Sequence, residues 1–416
     1  MKILVLNSGS SSQKSCLYEI GDVIPKNSPE PIWQAKAEWN GDRAEVSIRT
    51  SRGDNLKNRI TVGSREEAAG PMLDTLWSGI TRVVSGPSEI NVVGHRVVNG
   101  GQNYREPIVV NAEVRATITR MSAFAPLHNR AELEGMDIIA KRFGAIPQIA
   151  VFDTGFHSQL PESAYVYPGP YEWLARGIRR YGFHGINHQY CAERTAQLLG
   201  KDLRSLKIVS CHLGNGCSLA AIQDGHSVDT TMGFTPLEGL MMGTRSGSVD
   251  PGILTYMMRE GLFTGEQLDE LLNQKSGLLG ISGISGDMRQ IVALMKEGNS
   301  RAKLAFDIFV HRLRSCLGAM IAALGGIDAL IFSAGIGENS AEVRAAACAN
   351  FGYLNLMLDS EKNQSSPQDQ DIAEKDSAVR VMVIRAQEDW AIAKKCWSLL
   401  SANVGSTGAS ARLETD

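Results

Sequence analysis

Short apolar runs alternate with longer amphipathic segments along most of the chain. The apolar runs predict β-strands at 2–6, 16–20, 92–97, 148–152, 206–213, 217–222, 328–333 and 380–385. Apolar residues at helical spacing predict α-helices at 129–143, 187–199, 265–273, 287–297, 301–324, 340–350 and 388–400. Strands and helices that alternate in this way are typical of an α/β fold. Polar composition predicts a surface loop at 359–378 and a frayed tail at 403–416.

Two distant segments of the chain follow the same pattern. Residues 3–20 and residues 207–225 each consist of two apolar runs joined by a turn rich in glycine and serine. Each turn also contains an asparagine, Asn7 or Asn215. Repeat-array proteins have much shorter periods, so this spacing indicates a duplicated domain. It predicts two similar lobes with one site in the cleft between them.

Composition and charge exclude several classes of protein. The chain has 416 residues, of which 43% are hydrophobic and 21% charged, and its net charge is −3, as expected of a globular enzyme with two or three domains. It has no block of lysine and arginine that would indicate a nucleic-acid partner. Apolar stretches such as 319–327 are far shorter than the ~20 residues of a membrane span, and the first 20 residues do not resemble a secretory signal. The seven cysteines include no C-x-x-C pair, which predicts free thiols in the cytoplasm.

Glycine-rich turns follow several of the predicted strands, at 7–12 (NSGSSS), 212–218 (HLGNGCS), 281–287 (ISGISGD) and 333–339 (SAGIGEN). Glycine allows a close backbone approach to phosphate, and successive N–H groups bind anions. The first turn is not a P-loop, because Gln13 replaces the second glycine and the spacing to Lys14 is one residue short. A single turn of this kind is more often a plain turn, but four of them in a duplicated chain predict a nucleotide site. The chain lacks G-x-G-x-x-G with a following acidic residue, which argues against a dinucleotide.

The stretch 212–252 closely resembles the signature of the acetokinase family, which comprises acetate kinases and related propionate kinases. Other motifs occur in the family's order: NSGSSS with Lys14, GHRVVNGG (94–101), APLHN (125–129), FDTGFH (152–157), RRYGFHG (179–185), ISGISGD (281–287) and SAGIGEN (333–339). The resemblance covers essentially the whole chain.

The resemblance implies the architecture of the acetate and sugar kinase, chaperone ATPase and actin superfamily. In this α/β fold, two ribonuclease-H-like lobes flank a nucleotide cleft, and the family usually forms homodimers. We expect an N-terminal lobe of residues 1–152 plus 386–416, which would carry the acyl-site and metal residues. Residues 153–385 would form the C-terminal, nucleotide-binding lobe.

The activity implied by the resemblance is that of acetate kinase, a phosphotransferase with a carboxyl group as acceptor. It would transfer phosphoryl reversibly from ATP to acetate by direct in-line displacement, giving acetyl phosphate and ADP, with Mg²⁺ or in its place Mn²⁺. The acceptor needs no general base, because a carboxyl pKa is about 4. Metal, cations and hydrogen-bond donors would suffice. The alternative is propionate kinase or a relaxed short-chain acyl kinase, and a phosphoenzyme is the alternative mechanism.

The family's functional residues map onto matching positions of this chain. The implied catalytic residues are Arg96, Asp153, His184 and Arg245. The implied substrate-binding residues are Arg96, Val98, Leu127, Phe183 and Pro236. The implied metal site consists of Asn7, Asp153 and Glu388. The implied nucleotide-binding residues are Asn7, Lys14, His212, Gly214, Asn215, Gly216, Asp287, Met288, Arg289, Gly335, Ile336, Gly337 and Asn339.

Residue types alone leave simpler roles open. Asp153 has the composition of a turn cap, and Glu388 that of an acidic residue at a helix start. His184 and His188 have a zinc-like spacing, but no third ligand is evident. Two other function classes also fit paired glycine turns: an actin-like or chaperone-like ATPase, and a non-catalytic regulator that binds nucleotide or acyl phosphate.

The chain departs from the family pattern at positions close to these motifs. Asn99 replaces a histidine, Arg130 a proline and Ser248 an acid. We expect Asn99 and Arg130 to influence the acyl site, because they lie close in sequence to Arg96 and Leu127.

Overall fold

The computed structural model describes residues 1–9, 12–122 and 126–410, with only the backbone described at Asn40, 126–128 and 403–410. The chain forms two compact units. Unit 1 consists of Met1–Gly155 and the chain from Gln387, and unit 2 of Phe156–Ala386. The Asp153 N–H donates to the Val97 carbonyl at 2.9 Å and so continues the strand pairing of unit 1.

The elements alternate along the chain as the sequence predicts for an α/β fold. The strands are β1 Lys2–Ser8, β2 Ser12–Glu19, β3 Trp33–Asn40, β4 Arg43–Thr50, β5 Asn55–Thr61, β6 Val92–Val97, β7 Ile108–Val109, β8 Gln148–Phe152, β9 Ile208–Leu213, β10 Cys217–Gln223, β11 His226–Thr230, β12 Ala329–Ser333, β13 Gln370–Asp371 and β14 Arg380–Val383. The helices are α1 Arg65–Asp74, α2 Ala112–Met121, α3 Pro126–Phe143, α4 Glu162–Tyr165, α5 Glu172–Ala175, α6 Gly185–Leu199, α7 Pro251–Arg259, α8 Gly265–Gln274, α9 Gly277–Ser282, α10 Met288–Lys296, α11 Ser300–Leu324, α12 Ala334–Asn339, α13 Ala341–Cys348, α14 Ser360–Gln364 and α15 Glu388–Ser410.

The sheets of the two units share one topology. In unit 1 the described strands are ordered β5-β4-β3-β2-β1-β6-β8-β7, and in unit 2 they are ordered β11-β10-β9-β12-β14-β13. In both sheets the first hairpin (β1–β2 or β9–β10) is antiparallel, and its first strand pairs in parallel with the strand that follows a helical crossover. A second parallel pair comes next, β6 with β8 or β12 with β14. This correspondence confirms the two-lobed α/β fold that the repeat predicts.

The central strands are buried on both faces because helices cover them. All six residues of β9 and all five of β12 are buried, and five of the six residues of β6. Continuous burial is expected for parallel strands between helix layers. In unit 1, α15 packs against this part of the sheet: Ile392 and Cys396 of α15 lie against β6 at Gly94, where no side chain intervenes.

Strands β3, β4 and β5 were not predicted from the sequence. Their apolar residues occur at every second position, as with Ala44, Val46 and Ile48 of β4, which are buried between exposed or half-buried polar residues. A period of two is the signature of a strand with one solvated face. Continuous apolar runs, on which the prediction relied, are typical of strands that are buried on both faces.

The predicted surface loop at 359–378 is wrong in part. The segment contains α14 and β13, and β13 pairs with β14 at the edge of the sheet of unit 2. Ile372 and Ala373 are fully buried there. Their burial depends on contacts with distant strands, which the polar composition of the segment does not reveal. No helix within the described residues is long and apolar enough to cross a membrane.

Gly94 provides a test of the packing between β6 and α15. A Cβ at this position would lie 2.7 Å from Cys396 Sγ and 2.8 Å from Ile392 Cγ2. Gly94→Ala should therefore destabilise the protein by roughly 1–3 kcal/mol, the usual cost of overpacking a core. Thermal denaturation would measure this loss. Gly86→Ala is the matched control, because no atom lies within 4 Å of a Cβ there, and equal melting temperatures for the two variants would contradict the packing.

Candidate functional site

Four of the residues singled out in the sequence lie together in unit 1. Asn7 lies near the end of β1, Arg96 near the end of β6, and Asp153 directly after β8. These strands are parallel neighbours, so their carboxyl ends share one edge of the sheet, where α/β proteins bind ligands. Glu388 is the first residue of α15 and joins them at this edge.

Arg96 is the centre of the polar network at this edge. Its Nη2 donates to Asp153 Oδ2 at 2.5 Å, and its Nη1 donates to Asn7 Oδ1 at 3.3 Å. Asn7 Nδ2 in turn donates to Glu388 Oε2 at 3.1 Å and to Asp389 Oδ1 at 3.3 Å. One arginine and one amide thus hold three carboxylates together.

Burial and charge act in opposite directions on Arg96. Burial lowers the pKa of its guanidinium. The charges of Asp153 and Glu388 raise this pKa by more than burial lowers it, so that it lies above its ordinary value. Burial also raises the pKa of Asp389, with Glu388 as the next cause. Asp389 was not singled out from the sequence. Two adjacent acidic residues at a helix start were the available signal.

The donors of this network suit Mg²⁺. Carboxylate and amide oxygens are the hard ligands that Mg²⁺ takes, and proteins usually hold it with one or two carboxylates plus the phosphates of a substrate. The described residues contain no group of three or more His, Cys, Asp or Glu side chains arranged to hold a metal by themselves. Asp153, Glu388 and Asn7 therefore fit an ion that is shared with a phosphate ligand.

A buried carboxyl group lies behind Val98, at the end of β6. Glu132 of α3 is 1% exposed, and its Oε1 accepts a hydrogen bond from the Val98 N–H at 2.9 Å. Burial raises the pKa of Glu132 to about 8. Asn99 beside it is fully buried, and its Oδ1 accepts from the Gly101 N–H at 2.8 Å. Glu132 was missed in the sequence, because nothing in a helical glutamate indicates that it faces inward.

The other singled-out residues of unit 1 are less closely connected. Lys14 lies opposite Asn7 in the β1–β2 hairpin and is exposed. Arg130 is exposed on α3. Leu127 belongs to the first turn of α3, but its side chain lies outside the described residues.

Unit 2 brings its glycine turns to one edge of its own sheet. His212 of β9 lies in register with Ser333 of β12, and the two strands are parallel. The turn after β9 therefore lies beside the segment after β12, and a Cβ at Gly214 would be 3.7 Å from the Cβ of Ala334. Ala334 itself has a φ of 64°, a conformation that favours glycine.

His184 and Arg245 both lie against the β9–β10 turn. A Cβ at Gly216 would be 3.4 Å from Arg245 Nη1 and 3.5 Å from His184 Cε1. The His184 ring stacks on that of His212, with 4.0 Å between centroids and 17° between planes. Arg245 Nη1 also donates to the Pro236 carbonyl at 3.2 Å. The structure thus gathers an arginine, two histidines and a glycine turn within one unit.

Hydrogen bonds behind His184 connect it to the core of unit 2. His184 Nδ1 lies 2.9 Å from Ser218 Oγ, which lies 2.8 Å from His188 Nε2. His188 Nδ1 lies 2.9 Å from Ser210 Oγ. Phe183 is buried, and its carbonyl oxygen lies 3.1 Å from His157 Nε2. Ser210 and Ser218 were missed in the sequence, because serines within buried strands carry no motif of their own.

Gly243 lies between the β9–β10 turn and the glycine-rich turn at 281–287. The Gly243 N–H donates to the Asn215 carbonyl at 3.0 Å, and a Cβ at Gly243 would approach the Gly286 carbonyl to 3.0 Å. Asp287 caps α10 through the Arg289 N–H and also pairs with the Arg289 side chain at 2.6 Å.

The remaining nucleotide candidates lie on α10 and α12. The Met288 side chain is buried, Gly337 is buried, and Ile336 is half-buried. Gly335 and Asn339 are exposed, and Asn339 Nδ2 donates to the Gly335 carbonyl at 2.9 Å. Of the singled-out substrate residues, Val98 lies in unit 1, and Phe183 and Pro236 lie in unit 2.

Comparison with known proteins identifies relatives along almost the whole chain. The model of the acetokinase family matches residues 2–394. An acetate kinase from Cyanothece sp. is 58% identical over 405 residues, which are 97% of this chain and 99% of the relative. The crystal structure of Porphyromonas gingivalis acetate kinase has a TM-score of 0.88 at 37% identity and covers 96% of this chain and 99% of its own. A propionate kinase structure from Francisella tularensis has a TM-score of 0.86 at 37% identity, with coverages of 95% and 98%. The chain therefore belongs to the acetokinase family.

Proposed function

We propose that the protein transfers the γ-phosphoryl group of ATP to acetate, reversibly and by direct in-line displacement, and so forms acetyl phosphate and ADP. The observation that carries this proposal is the polar network of Arg96, Asp153, Asn7 and Glu388 in a chain of this family. Curated relatives that are 57–59% identical over most of the chain are acetate kinases, which favours acetate over propionate. Family membership also favours a kinase over an actin-like ATPase or a regulator.

Phosphoryl transfer between two anions requires positive charge and oriented donors more than proton transfer. Arg96 remains positively charged in its buried setting, so it can hold the acetate carboxylate. Arg245 and His184 supply donors for the oxygens of the phosphoryl group. The acceptor is already ionised near neutral pH, so a general base is not needed.

Asp153, Glu388 and Asn7 would hold Mg²⁺, or Mn²⁺ in its place, together with the ATP phosphates. The ion would neutralise charge on the transferred group. Arg96 donates to Asp153 and Asn7, two of the residues that would hold the ion, and so it orients both side chains.

Glycine turns of unit 2 would bind ATP through backbone N–H groups. We assign this role to the turn at 214–216 with His212, and to the α12 segment at 335–339. Asp287, Met288 and Arg289 at the start of α10 would contact the nucleoside. Asn7 and Lys14 of the β1–β2 hairpin would contact the phosphates.

The residues that we expect to contact the acyl group are apolar: Val98 and Leu127 of unit 1, and Phe183 and Pro236 of unit 2. Apolar contacts of this kind discriminate by about 1–3 kcal/mol per methylene. Propionate should therefore be a poorer substrate than acetate, but still a measurable one.

We also propose that the protein is a cytoplasmic homodimer that assembles through α7. None of the residues of α7 is buried. Ile253, Tyr256 and Met258 are 45–53% exposed, and Leu262 just beyond the helix is 57% exposed. Several exposed large apolar side chains on one short segment favour a contact with another protein, and in a family whose members usually form homodimers a second copy of the chain is the simplest occupant.

Trapping acyl phosphate as its hydroxamate would test the activity. With ATP and Mg²⁺, we expect kcat/KM for acetate to exceed that for propionate by about 10- to 200-fold, the range for one methylene in an apolar pocket. Butyrate should react more slowly still, and chelation of the metal should abolish turnover. Equal or faster turnover of propionate would contradict the choice of acetate, and phosphate release without any acid would indicate an ATPase instead.

Substitution of Arg245 would test its role as a transition-state donor. Arg245→Gln should lower kcat by about 10²–10³-fold, as expected for loss of one preorganised donor, and leave the melting temperature nearly unchanged. Arg59→Gln is the control, because the Arg59 side chain is 87% exposed and forms an ion pair with Glu45 that is remote in sequence from the candidate residues. If the two variants had equal kcat, the assignment of Arg245 would be wrong.

The dimer is testable by a charge on the exposed face of α7. Ile253→Glu should convert the protein to a monomer, because a carboxylate would have to be desolvated at the contact. Sedimentation velocity would measure this change. Asp307→Lys on α11 serves as a control for altered surface charge, and a monomeric wild-type protein would contradict the proposal.

A further inference from the structure

We propose that Ser210, His188 and Ser218 form a one-way hydrogen-bond chain that holds the His184 imidazole in the tautomer with its proton on Nε2. Ser210 and His188 are then positioning residues for phosphoryl transfer. The tautomer follows from the geometry alone, whereas its catalytic value rests on the proposed function.

The chain consists of three contacts in sequence: His184 Nδ1 to Ser218 Oγ at 2.9 Å, Ser218 Oγ to His188 Nε2 at 2.8 Å, and His188 Nδ1 to Ser210 Oγ at 2.9 Å. Ser210, Ser218 and His188 are fully buried. A neutral histidine has one N–H group, and a serine has one O–H group and two acceptor lone pairs, so each contact uses one proton. If Ser218 accepted from both histidines, its buried O–H group would have no partner among the described residues, which leaves two directions for the chain. Burial, assisted by His157 and His212, lowers the pKa of His188 well below its ordinary value and keeps it neutral.

Ser210 decides between the two directions. Among the described residues, its hydroxyl makes one hydrogen bond, and the partner is His188 Nδ1. In one direction Ser210 donates to this nitrogen and its proton is paired. In the other direction it accepts from His188, and its buried O–H group has no acceptor. A buried donor without a partner is the more costly arrangement, so Ser210 donates.

The protons of the other members follow from this direction. Because His188 Nδ1 accepts from Ser210, the proton of His188 is on Nε2 and is donated to Ser218. Ser218 has then accepted at its oxygen, and it donates its own proton to His184 Nδ1. Neutral His184 therefore carries its proton on Nε2.

Two further contacts hold the His184 ring in place. His157 Nε2 lies 3.1 Å from the Phe183 carbonyl oxygen, which can only accept, so the proton of His157 is on Nε2. This bond anchors Phe183, the residue before His184. His184 itself has a φ of 58°. Asn187 Nδ2 donates to His212 Nδ1 at 2.9 Å, which also assigns Nε2–H to His212, and the His212 ring stacks on His184.

The assigned proton lies on the side of the ring where Arg245 lies. A Cβ at Gly216 would be 3.6 Å from His184 Nε2 and 3.4 Å from Arg245 Nη1, so both atoms border the same glycine. The Nε2–H group is a neutral donor that needs no proton transfer, and it is oriented before substrate binds. With the proton on Nδ1 instead, Nε2 would present a lone pair to a phosphoryl oxygen and repel it.

Nitrogen NMR of the full-length protein, labelled with ring-¹⁵N histidine, would test the tautomers directly. Long-range ¹H–¹⁵N spectra distinguish Nε2–H from Nδ1–H, and His→Gln variants would assign the signals. We expect Nε2–H at His157, His184, His188 and His212. A proton on Nδ1 of His184, or a positively charged His184 at neutral pH, would overturn the proposal.

Ser210→Ala tests the chain itself. Without Ser210, His188 Nδ1 has no partner in either direction: it is an unpaired acceptor in one and an unpaired donor in the other. The difference in cost between the two directions is therefore smaller than in the wild type, and we expect a measurable fraction of His184 with its proton on Nδ1. We also expect kcat to fall by about tenfold, which is below the roughly 10²–10³-fold effect of losing the donor outright, with KM for ATP nearly unchanged. Ser210→Thr retains the hydroxyl and should restore both readouts.

Ser377→Ala provides the matched control. Ser377 is a buried serine of unit 2 whose hydroxyl donates to the Val379 carbonyl and accepts from the Met357 N–H. Neither partner belongs to the hydrogen-bond chain of Ser210, His188 and Ser218. Ser377→Ala should destabilise the protein about as much as Ser210→Ala does, and should leave the His184 tautomer and kcat unchanged. A pure Nε2–H signal at His184 in Ser210→Ala would contradict the proposal that Ser210 sets the direction of the hydrogen-bond chain. If the protein proved to have no kinase activity, the proposed function would fail, whereas the tautomers would still be judged by NMR alone.

Discussion

Parallel pairing of neighbouring strands is the constraint on which both sets of candidate residues depend. In unit 1 it brings the ends of β1, β6 and β8 to one edge, so that residues as distant in sequence as Asn7 and Asp153 share one arginine. In unit 2 the pairing of β9 with β12 does the same for two glycine turns. The helical crossovers that parallel strands require cover the faces of both sheets, and so leave the strand ends for chemistry.

A buried ion pair such as that of Arg96 with Asp153 is weak evidence for stability. A buried guanidinium or carboxylate loses hydration, and even a good ion pair often only compensates for that loss. The contact between Arg96 and Asp153 is therefore better explained by its chemistry: the charge of Asp153 raises the pKa of Arg96 in a position where an isolated charge would be costly. Asn7 extends the network to Glu388 without adding charge.

In unit 2, buried polar side chains are held by neutral hydrogen-bonding groups. Burial lowers the pKa of His157 to about 4, and it also lowers that of His188, so these imidazoles act as fixed dipoles rather than as charges. Each is held by a hydroxyl group on one nitrogen, Ser227 for His157 and Ser210 for His188. Such a frame is stable because every member has a partner, and it orients His184 at no cost in reorganisation. The two units thus hold their buried polar groups in different ways, unit 1 with paired charges and unit 2 with neutral imidazoles and hydroxyl groups.

The sequence by itself determined the α/β class, the two-lobed repeat and the family, because continuous apolar runs, glycine turns and long motifs are local features of the chain. It also indicated Arg96, Asp153, His184 and Arg245, which lie within those motifs. Only the tertiary structure identified the residues that hold them. Ser210, Ser218, Glu132 and Asp389 are ordinary by type, and their burial and partners arise from strands and helices distant in sequence. Ile372 and Ala373 within a polar segment, and the half-buried strands β3 to β5, show the same limit. The local sequence pattern shows which face of a helix or strand is apolar. The direction of its hydrogen bonds and its burial depend on the distant segments that pack against it.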